Sequence, residues 1–579
     1  MASVNEENDS PDFFNFDGMS SPLKNEKEDI KEKKKFNLKI IIIISIALLI
    51  IIALIILSVV IYKLLNPEII CGSGSFLPDD SKSECYPCSL KYCDKCSGTK
   101  GSNICTSCIS NSFPFKENNV LKICNPCDIG EDDKCVSCDE GFNKCSKCNI
   151  GYKLENGKCI VNYSFKAIYF VDPSPNKRVS LISQNYPGKI KEIIIDGDKI
   201  DSTNYYYDDF SYGDHTVYIL LDNNSISKNM FSFNSNLKEI SFSTLFNNIE
   251  IESMESMFYG CNILTSIDFT NFKIKNVKSL DKMFFGCTTL ININISNINI
   301  SEVINMNLMF RGCKNLKNIE FPNITTNKLQ NIEEMFSGCS SLKSLDLSNF
   351  DTKQVTSFSD LFNECRSLTS LNIDNFDAKK VENMNNMFKD CISLISLNLS
   401  NFETNSLKQM NYIFLGCSNL KSLNLSRFKT NQIVYLYETF KDCSSLISLD
   451  LSSFNTENVI NMNMMFSGCS ELKSINLSSF NTKNVATLIS MFEGCSSLTS
   501  IDLSNVLIDS IPKINNLFYG CSKLTYIDIS SYSFSSSTVP QLFDENIPSE
   551  GTAILKDENA KNKIQIQIPN WNFTYKSQE

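Results

Sequence analysis

Cysteine is the residue whose chemistry and spacing stand out in this chain. Eleven cysteines recur every 26 residues without a break: Cys261, Cys287, Cys313, Cys339, Cys365, Cys391, Cys417, Cys443, Cys469, Cys495 and Cys521. Fourteen others lie between Cys71 and Cys159. Thiols at fixed spacing can bind metal, form disulfides or pack as small apolar side chains, so the two populations need separate interpretations.

The N-terminal population consists of six C-x-x-C pairs and two single cysteines. Large apolar residues are sparse around them, so this region must be cross-linked rather than built on a core. Such pairs can also hold zinc, but disulfides are favoured because the region is predicted to be exported, as argued next. Their connectivity is open. The disulfide candidates are Cys71, Cys85, Cys88, Cys93, Cys96, Cys105, Cys108, Cys124, Cys127, Cys135, Cys138, Cys145, Cys148 and Cys159.

A membrane anchor is predicted ahead of this region. The run from Ile40 to Tyr62 has 23 residues and no charge. As a helix it would be about 34 Å long, enough for a hydrocarbon core of about 30 Å. Lysines cluster before the run, which predicts that the N-terminus stays inside. We therefore expect a type II single-pass protein of the plasma membrane or cell surface, with its C-terminal ectodomain outside.

The elements that position the regular cysteines follow from the repeat around them. With the cysteine numbered place 1, place 4 is always Leu, place 7 is Leu or Ile, and place 24 is Phe in the first ten copies. Places 7 and 9 alternate as in a strand, whereas places 17, 20, 23 and 24 have helical spacing. A fixed period of this size is typical of a solenoid. The predicted fold class is an α/β leucine-rich-repeat solenoid of eleven repeats, preceded by a small β domain, a disulfide-rich stalk and one transmembrane helix.

The domain boundaries follow from these patterns. Three segments of the small β domain alternate apolar and polar residues, at 166–171, 191–197 and 215–221, and predict antiparallel strands. The predicted order is a disordered cytoplasmic tail (1–38), the signal-anchor helix (39–63), the cysteine-rich region (64–160), the β domain or cap (161–234), the repeats (235–544) and a C-terminal cap or tail (545–579).

Two known families share motifs with the chain. The segments MFSGCSSLKSLDLSNFDT (335–352) and MFSGCSELKSINLSSFNT (465–482) resemble the BspA-like leucine-rich repeats of bacterial and protist surface proteins. The run CNIGYKLENGKC (148–159) resembles furin-like and growth-factor-receptor cysteine-rich modules. The first resemblance implies a surface location and adhesion to host or matrix proteins. It supplies no active site.

Three interpretations of the regular cysteines stay open. Place 1 lies among core positions, which favours buried free thiols. Disulfides between adjacent turns are geometrically possible, but eleven is an odd number and every inner copy has equivalent neighbours. Metal binding needs converging ligands, whereas a column without histidine offers a row.

A ligand surface is predicted on the outward side of the strands, at places 6, 8 and 10. Place 8 is Asp, Asn or Glu in every copy. This row is either a solvated face or a shallow polar surface for a protein or glycan, and calcium bridging between Asp502 and Asp528 is a third possibility. The candidate ligand residues are Asp268, Glu320, Asp346, Asn372, Asp450, Asp502 and Asp528. N-glycosylation candidates are Asn162, Asn223, Asn294, Asn299, Asn323, Asn398, Asn424, Asn476 and Asn572.

These features predict an adhesion or receptor-like binding protein that presents its repeats to an extracellular protein or glycan. The alternative is a structural coat or decoy antigen without a specific ligand. A net charge of −11 argues against nucleic acid as a partner. No cofactor or enzymatic activity is expected, because catalysis of the serine–histidine type would have to use the only histidine, His215.

Overall fold

The computed structural model describes residues 145–576, except for 156–157, 174–177, 185, 202, 223–227, 248, 507–512, 533 and 535–539, together with the backbone of seven short strands between Ser75 and Cys138. The predicted tail and signal-anchor helix lie outside these residues. The chain divides into two units, residues 1–133 with 137–144, and residues 134–136 with 145–579.

The first unit contains short antiparallel ribbons. Strand β1 pairs with β2, β3 with β4 and β5 with β6. The strand bounds are β1 Ser75–Phe76, β2 Tyr86–Pro87, β3 Cys93–Ser97, β4 Ile104–Cys108, β5 Ser112–Glu117 and β6 Val120–Pro126, followed by β7 Cys135–Cys138. The resemblance of this region to furin-like modules stays a prediction.

The second unit begins with short antiparallel sheets. The strands of this unit before the repeats are β8 Cys145–Cys148, β9 Tyr152–Glu155, β10 Lys158–Val161, β11 Phe165–Val171, β12 Val179–Ser180, β13 Ile190–Ile195, β14 Asp198–Ile200, β15 Tyr206–Tyr207, β16 Gly213–Leu221 and β17 Leu237–Phe242. Strands β11, β13 and β16 confirm the three predicted strands. The main sheet has the order β14-β13-β16-β11-β17 and then continues into the repeats, because β17 pairs in parallel with the first repeat strand.

The repeats form a parallel ladder of short strands. Strands of adjacent turns pair at equivalent places, 26 residues apart, as Asn292 does with Asn318 and Ser344 with Ser370, in a series of mostly two-stranded parallel sheets. The strands are β18 Ile249–Glu250, β19 Ser266–Asp268, β20 Ile274–Lys275, β21 Asn292–Asn294, β22 Asn318–Glu320, β23 Ser344–Asp346, β24 Ser370–Asn372, β25 Ser396–Leu397, β26 Ser422–Leu423, β27 Ser500–Asp502, β28 Tyr526–Asp528, β29 Thr552–Leu555 and β30 Asn572–Tyr575. The last two belong to the C-terminal cap and extend the same sheet.

The predicted α/β fold class is wrong, because the repeats build a β-solenoid of about 12 turns with almost no helix. Within the described residues, helix is confined to a 3-10 turn at Thr244–Phe246 and to α1, Glu558–Ile564, in the C-terminal cap. The transmembrane helix of that fold class also has no counterpart among the described residues. No helix in the described part of the chain is long and apolar enough to cross a membrane.

A left-handed residue in every turn explains why no helix forms at places 17–24. Place 22 has φ between 50° and 60° in the first ten copies, as at Lys282 and Asn386, which interrupts a right-handed helix. The backbone N–H groups also point along the solenoid. Leu280, Lys282, Phe284 and Gly286 donate to carbonyls of the following turn at 2.8–2.9 Å. Successive three-residue turns therefore mimic helical spacing in the sequence while their hydrogen bonds join neighbouring turns.

A continuous stack of phenylalanine rings runs through the core at place 24. Neighbouring rings are 5.3–6.0 Å apart between centroids and nearly parallel. Such offset stacking is a favourable aromatic arrangement. At one end Phe165 meets Phe231 edge-on, and at the other Trp571 lies 6.3 Å from Phe543. The stack comprises Phe231, Phe258, Phe284, Phe310, Phe336, Phe362, Phe388, Phe414, Phe440, Phe466, Phe492, Phe518 and Phe543.

Replacing one ring in this stack should destabilise the whole solenoid. Phe388→Ala removes a fully buried ring with a neighbour on each side, so we expect the free energy of unfolding in urea to fall by ~3–5 kcal/mol. Ile395→Ala, at a side chain that is 51% exposed in the next turn, is the control and should change it by less than about 0.5 kcal/mol. Equal effects of the two substitutions would contradict this account of the core.

Candidate functional site

The regular cysteines form a column of hydrogen-bond donors inside the solenoid. All eleven thiols are free and buried. Each Sγ donates to the carbonyl of a phenylalanine one turn earlier, at 3.1–3.2 Å; the phenylalanine is 29 residues earlier in ten copies and 30 residues earlier for Cys261. The carbonyl of Phe388, for example, accepts both the Cys391 N–H and the Cys417 thiol, at 3.1 Å each. The first of the three interpretations, buried free thiols, is the observed one.

Burial also makes these thiols poor nucleophiles. It raises the pKa of Cys365 to about 12, and at Cys391 the two neighbouring cysteines of the column raise the pKa further. Because the thiolate is the reactive and metal-binding form, the column is chemically silent near neutral pH. Within the described residues, no group of three His, Cys, Asp or Glu side chains could hold a metal ion.

The stalk shows the opposite use of cysteine at its described end. Cys148, at the end of β8, forms a disulfide with Cys159 in β10. They are two of the fourteen candidates. The other twelve stay predictions, because no described side chain tests them.

The outward row at place 8 has a structural role that the sequence did not reveal. In ten of the eleven repeats, one side-chain oxygen of the Asp or Asn accepts the backbone N–H of place 10, at 2.8–3.3 Å. This closes an Asx turn at the end of each strand. The exception is Glu320, which is followed at place 10 by Pro322, a residue without an N–H. At Asp450 these bonds from Ser452 lower the pKa of the carboxyl.

The turn leaves most place-8 side chains with one group to offer outward: an NH₂ from Asn or the second oxygen from Asp. The exceptions include Asn294 and Asn398, whose NH₂ groups donate to the carboxylates of Glu320 and Asp374. Asp268, Glu320, Asp346, Asp450 and Asp502 are exposed. Asn372 is half-buried. Asp528 is only 7% exposed, so its expected outward position is wrong. It lies in β28, beside the cap strand β29, and its Oδ1 accepts the Ser530 N–H at 2.9 Å. The calcium bridge with Asp502 therefore lacks an open partner.

The glycosylation candidates differ in accessibility. Six asparagines are exposed, two are half-buried (Asn162 and Asn299), and Asn223 lies outside the described residues. The hydroxyl residue of the Asn162 sequon, Ser164, is fully buried. The exposed candidates are Asn294, Asn323, Asn398, Asn424, Asn476 and Asn572. Whether any carries a sugar stays a prediction.

A second outward row, at place 5, was missed from the sequence. It directly precedes each strand and is exposed in every repeat, although it carries apolar as well as basic residues. Its mixed composition concealed it, because lysine, threonine and isoleucine share the position and none of them predominates. The row consists of Thr265, Ile291, Lys317, Lys343, Thr369, Ile395, Lys421, Ile447, Lys473, Thr499 and Thr525.

A shallow groove of about 500 Å³ lies further along the turns, at places 10–15. The buried rings of Phe350 and Phe376 are part of its lining. The Lys353 ammonium lies 3.2 Å from the Asp351 carboxylate that follows the first ring, so these two lining charges neutralise each other. This groove offers no reacting group.

His215 lies between an aspartate and a serine, as the histidine of a catalytic triad does. Its Nδ1 is 2.6 Å from the Asp196 carboxylate, and its Nε2 is 3.4 Å from the Ser211 hydroxyl. The Ser211 carbonyl oxygen is closer to Nε2, at 2.9 Å. The Ser211 carbonyl thus lies on the side of the ring where a triad would place its serine hydroxyl. His215 connects β16 to the turn between β13 and β14 through Asp196.

One protein family matches most of the repeat region. The family model described as "Mycoplasma protein of unknown function, DUF285" matches residues 224–345, 313–428, 369–474 and 434–547, together more than half of the chain. The chain belongs to the DUF285 family. No protein of curated function matches this DUF285 chain in sequence.

Solved structures similar to this DUF285 chain are leucine-rich-repeat surface proteins. A leucine rich cell surface protein of Faecalibacterium prausnitzii is 20% identical over 59% of this chain and 84% of its own, with a TM-score of 0.28. A leucine-rich-repeat protein of Leptospira interrogans is 13% identical over 59% and 90%, with a TM-score of 0.18. An internalin of Listeria monocytogenes is 14% identical over 50% and 86%, with a TM-score of 0.19. At this level of similarity, none of their functions is transferred to this chain.

The cysteines of the column should not react with thiol reagents in the folded protein. The reactive species is the thiolate, and burial raises the pKa of these groups, so at about pH 8 the eleven thiols should react only after unfolding. Counting thiols with an aromatic disulfide reagent, with and without denaturant, measures this. Rapid modification of several column cysteines in the native DUF285 chain would show that the column is accessible and would contradict this account.

The capping role of place 8 is separable from its outward chemistry. Asn424→Ala removes the acceptor for the Ser426 N–H and should lower the free energy of unfolding by about 1 kcal/mol. Asn424→Asp keeps that acceptor and should leave stability close to the wild type. Urea unfolding of both variants distinguishes them, and a loss of the same size in each would show that the cap is unimportant.

Proposed function

We propose that this chain is a ligand-binding protein displayed outside the cell, with the outward rows of its solenoid as the contact surface. The observation that carries the proposal is the double use of place 8. One atom of each side chain is held by the backbone of its own turn, so the remaining group points outward from a fixed position in turn after turn. A row of preorganised polar groups binds with little loss of side-chain entropy.

Two features of the cysteines support a location outside the cell. The Cys148–Cys159 disulfide is of the kind that persists in oxidising compartments. The eleven free thiols are buried and have raised pKa values, so they would survive the same conditions without forming wrong disulfides. Both properties fit an exported adhesion or receptor-like protein of the cell surface.

The binding role is favoured over an enzyme by the state of the candidate reacting groups. The thiols of the column are sealed in the core, and both nitrogens of His215 face acceptors. The outward rows, in contrast, carry no large aromatic side chain from Asp268 to Asp502 and are exposed there except at the half-buried Asn372. Such a surface suits a polar ligand that meets many turns rather than one hot spot.

Bulky side chains on the outward rows should weaken binding while leaving the fold intact. Ser396→Tyr with Ser422→Tyr places bulky uncharged groups at place 6, where the serines are exposed. We expect binding of the full chain to cell-surface or matrix preparations to weaken at least about tenfold, the equivalent of about 1.4 kcal/mol.

The matched control carries the same side chains away from the rows. Asn405→Tyr with Asn431→Tyr changes exposed residues at place 15 of the same two turns and should leave binding intact. If the wild-type chain bound no such preparation, the coat or decoy role without a specific ligand would replace the proposal. If both double variants bound like the wild type, the contact surface would lie elsewhere.

A further inference from the structure

We propose that four consecutive turns of the solenoid bind a linear acidic polysaccharide that carries one carboxylate for every two sugars. This inference rests on the proposed function and names its ligand class. The four turns are those of the strip defined by places 5 and 8: Lys421 with Asn424, Ile447 with Asp450, Lys473 with Asn476, and Thr499 with Asp502.

The outward groups of place 8 alternate along this strip. One oxygen of each side chain is taken by the N–H of its own turn, at 3.1 Å for Asn424, 2.9 Å for Asp450, 3.0 Å for Asn476 and 2.8 Å for Asp502. The groups that remain are therefore a donor, an acceptor, a donor and an acceptor. None of the other stretches of place 8 alternates over four turns.

The charges of place 5 follow the same alternation. A lysine accompanies each asparagine, whereas Ile447 and Thr499 accompany the two aspartates. Lys421 and Lys473 are exposed, and within the described part of the chain neither ammonium has an ion-pair partner. Anion-binding turns thus recur at every second turn, about 10 Å apart for parallel strands spaced ~4.8 Å.

This spacing identifies the kind of polymer. An extended β-linked disaccharide advances by a similar distance, and a chain of alternating uronic acid and N-acetylated amino sugar has one carboxylate in each such unit. Its carboxylates would meet Lys421 with Asn424 and Lys473 with Asn476, while hydroxyl or amide N–H groups of the intervening sugars would donate to Asp450 and Asp502. An extended peptide repeats every two residues, about 6.6 Å, and does not keep this register.

The first test uses hyaluronan oligosaccharides as the probe and titration calorimetry of the full chain. We expect saturable binding that Lys421→Gln with Lys473→Gln weakens at least about tenfold. The matched control is Lys317→Gln with Lys343→Gln, which changes exposed lysines of the same place beside Glu320 and Asp346 and should leave affinity unchanged. No binding, or equal effects of the two pairs, would overturn the proposal.

The second test exchanges the polarity of two turns without changing composition. Asn424→Asp combined with Asp450→Asn keeps both turn caps and the net charge, but places a carboxylate beside Lys421 and breaks the alternation. We expect at least a tenfold loss of hyaluronan affinity, with unfolding in urea unchanged. Retained affinity would disprove the periodic match. N-acetylglucosamine oligomers, which are neutral with a similar rise per sugar, should bind at least tenfold more weakly, and equal binding would disprove the role of the lysines.

Two outcomes separate this inference from the proposed function. If matrix binding is blocked by the place-6 tyrosines yet survives hyaluronidase treatment and hyaluronan competition, the ligand is of another class, such as a protein, and only the inference fails. Asn424 and Asn476 are also sequon positions, so the titrations use chain made in bacteria. Mass spectrometry of the native protein then shows whether both amides are free, and sugars attached there would overturn the inference.

Discussion

The register of the backbone hydrogen bonds between turns is the constraint on which the rest of this structure depends. At places 20, 22, 24 and 26 the N–H groups donate to the next turn rather than within their own, as Leu280 to Asn305 and Phe284 to Met309 show. Since each N–H donates to the carbonyl one place before its equivalent in the next turn, every turn must have the same length. Equivalent residues of successive turns are then stacked on one another. The phenylalanine stack, the cysteine column and the place-8 row are all consequences of this stacking.

The same constraint explains why cysteine behaves so differently in the two regions. In the solenoid, place 1 faces a carbonyl of the preceding turn at a distance that suits a thiol donor, so Cys417 satisfies the second lone pair of Phe388. A thiol in that position fills space, donates a weak hydrogen bond and stays protonated. In the stalk there is no such core, and Cys148 is joined covalently to Cys159. Regular spacing indicates packing here, and clustered pairs indicate cross-linking.

The core could be predicted from the sequence because burial leaves a periodic signal. Leu at place 4 and Phe at place 24 recur in phase and are buried as expected, for example Leu394 and Phe388. The helix could not be excluded, because place 22 is left-handed in residues as different as Leu308 and Tyr412, and none of them is glycine. That conformation is imposed by hydrogen bonds to neighbouring turns, which have no counterpart in local propensity.

The site was predictable only in outline. A polar row at place 8 is visible in the sequence. Its hydrogen bonds to the place-10 N–H groups are not, because they depend on the backbone dihedral angles of each turn. One signal was present: the glutamate at 320, which replaces the usual Asp or Asn, occurs where Pro322 removes the N–H to be capped. Place 5 gave no signal in the sequence. Its residues are all exposed, but they differ in polarity, as Ile447 and Lys473 do.

The identical spacing of the turns has a consequence for how such a protein changes over generations. An in-frame duplication or loss of one whole repeat joins equivalent places, so the ring stack and the thiol ladder are restored at the new junction. The outward rows are not protected in this way. Loss of the turn that contains Ile447 and Asp450 would bring the two lysine turns together and erase their alternation. Recombination between repeats therefore rewrites the surface in whole-turn steps while leaving the interior unchanged.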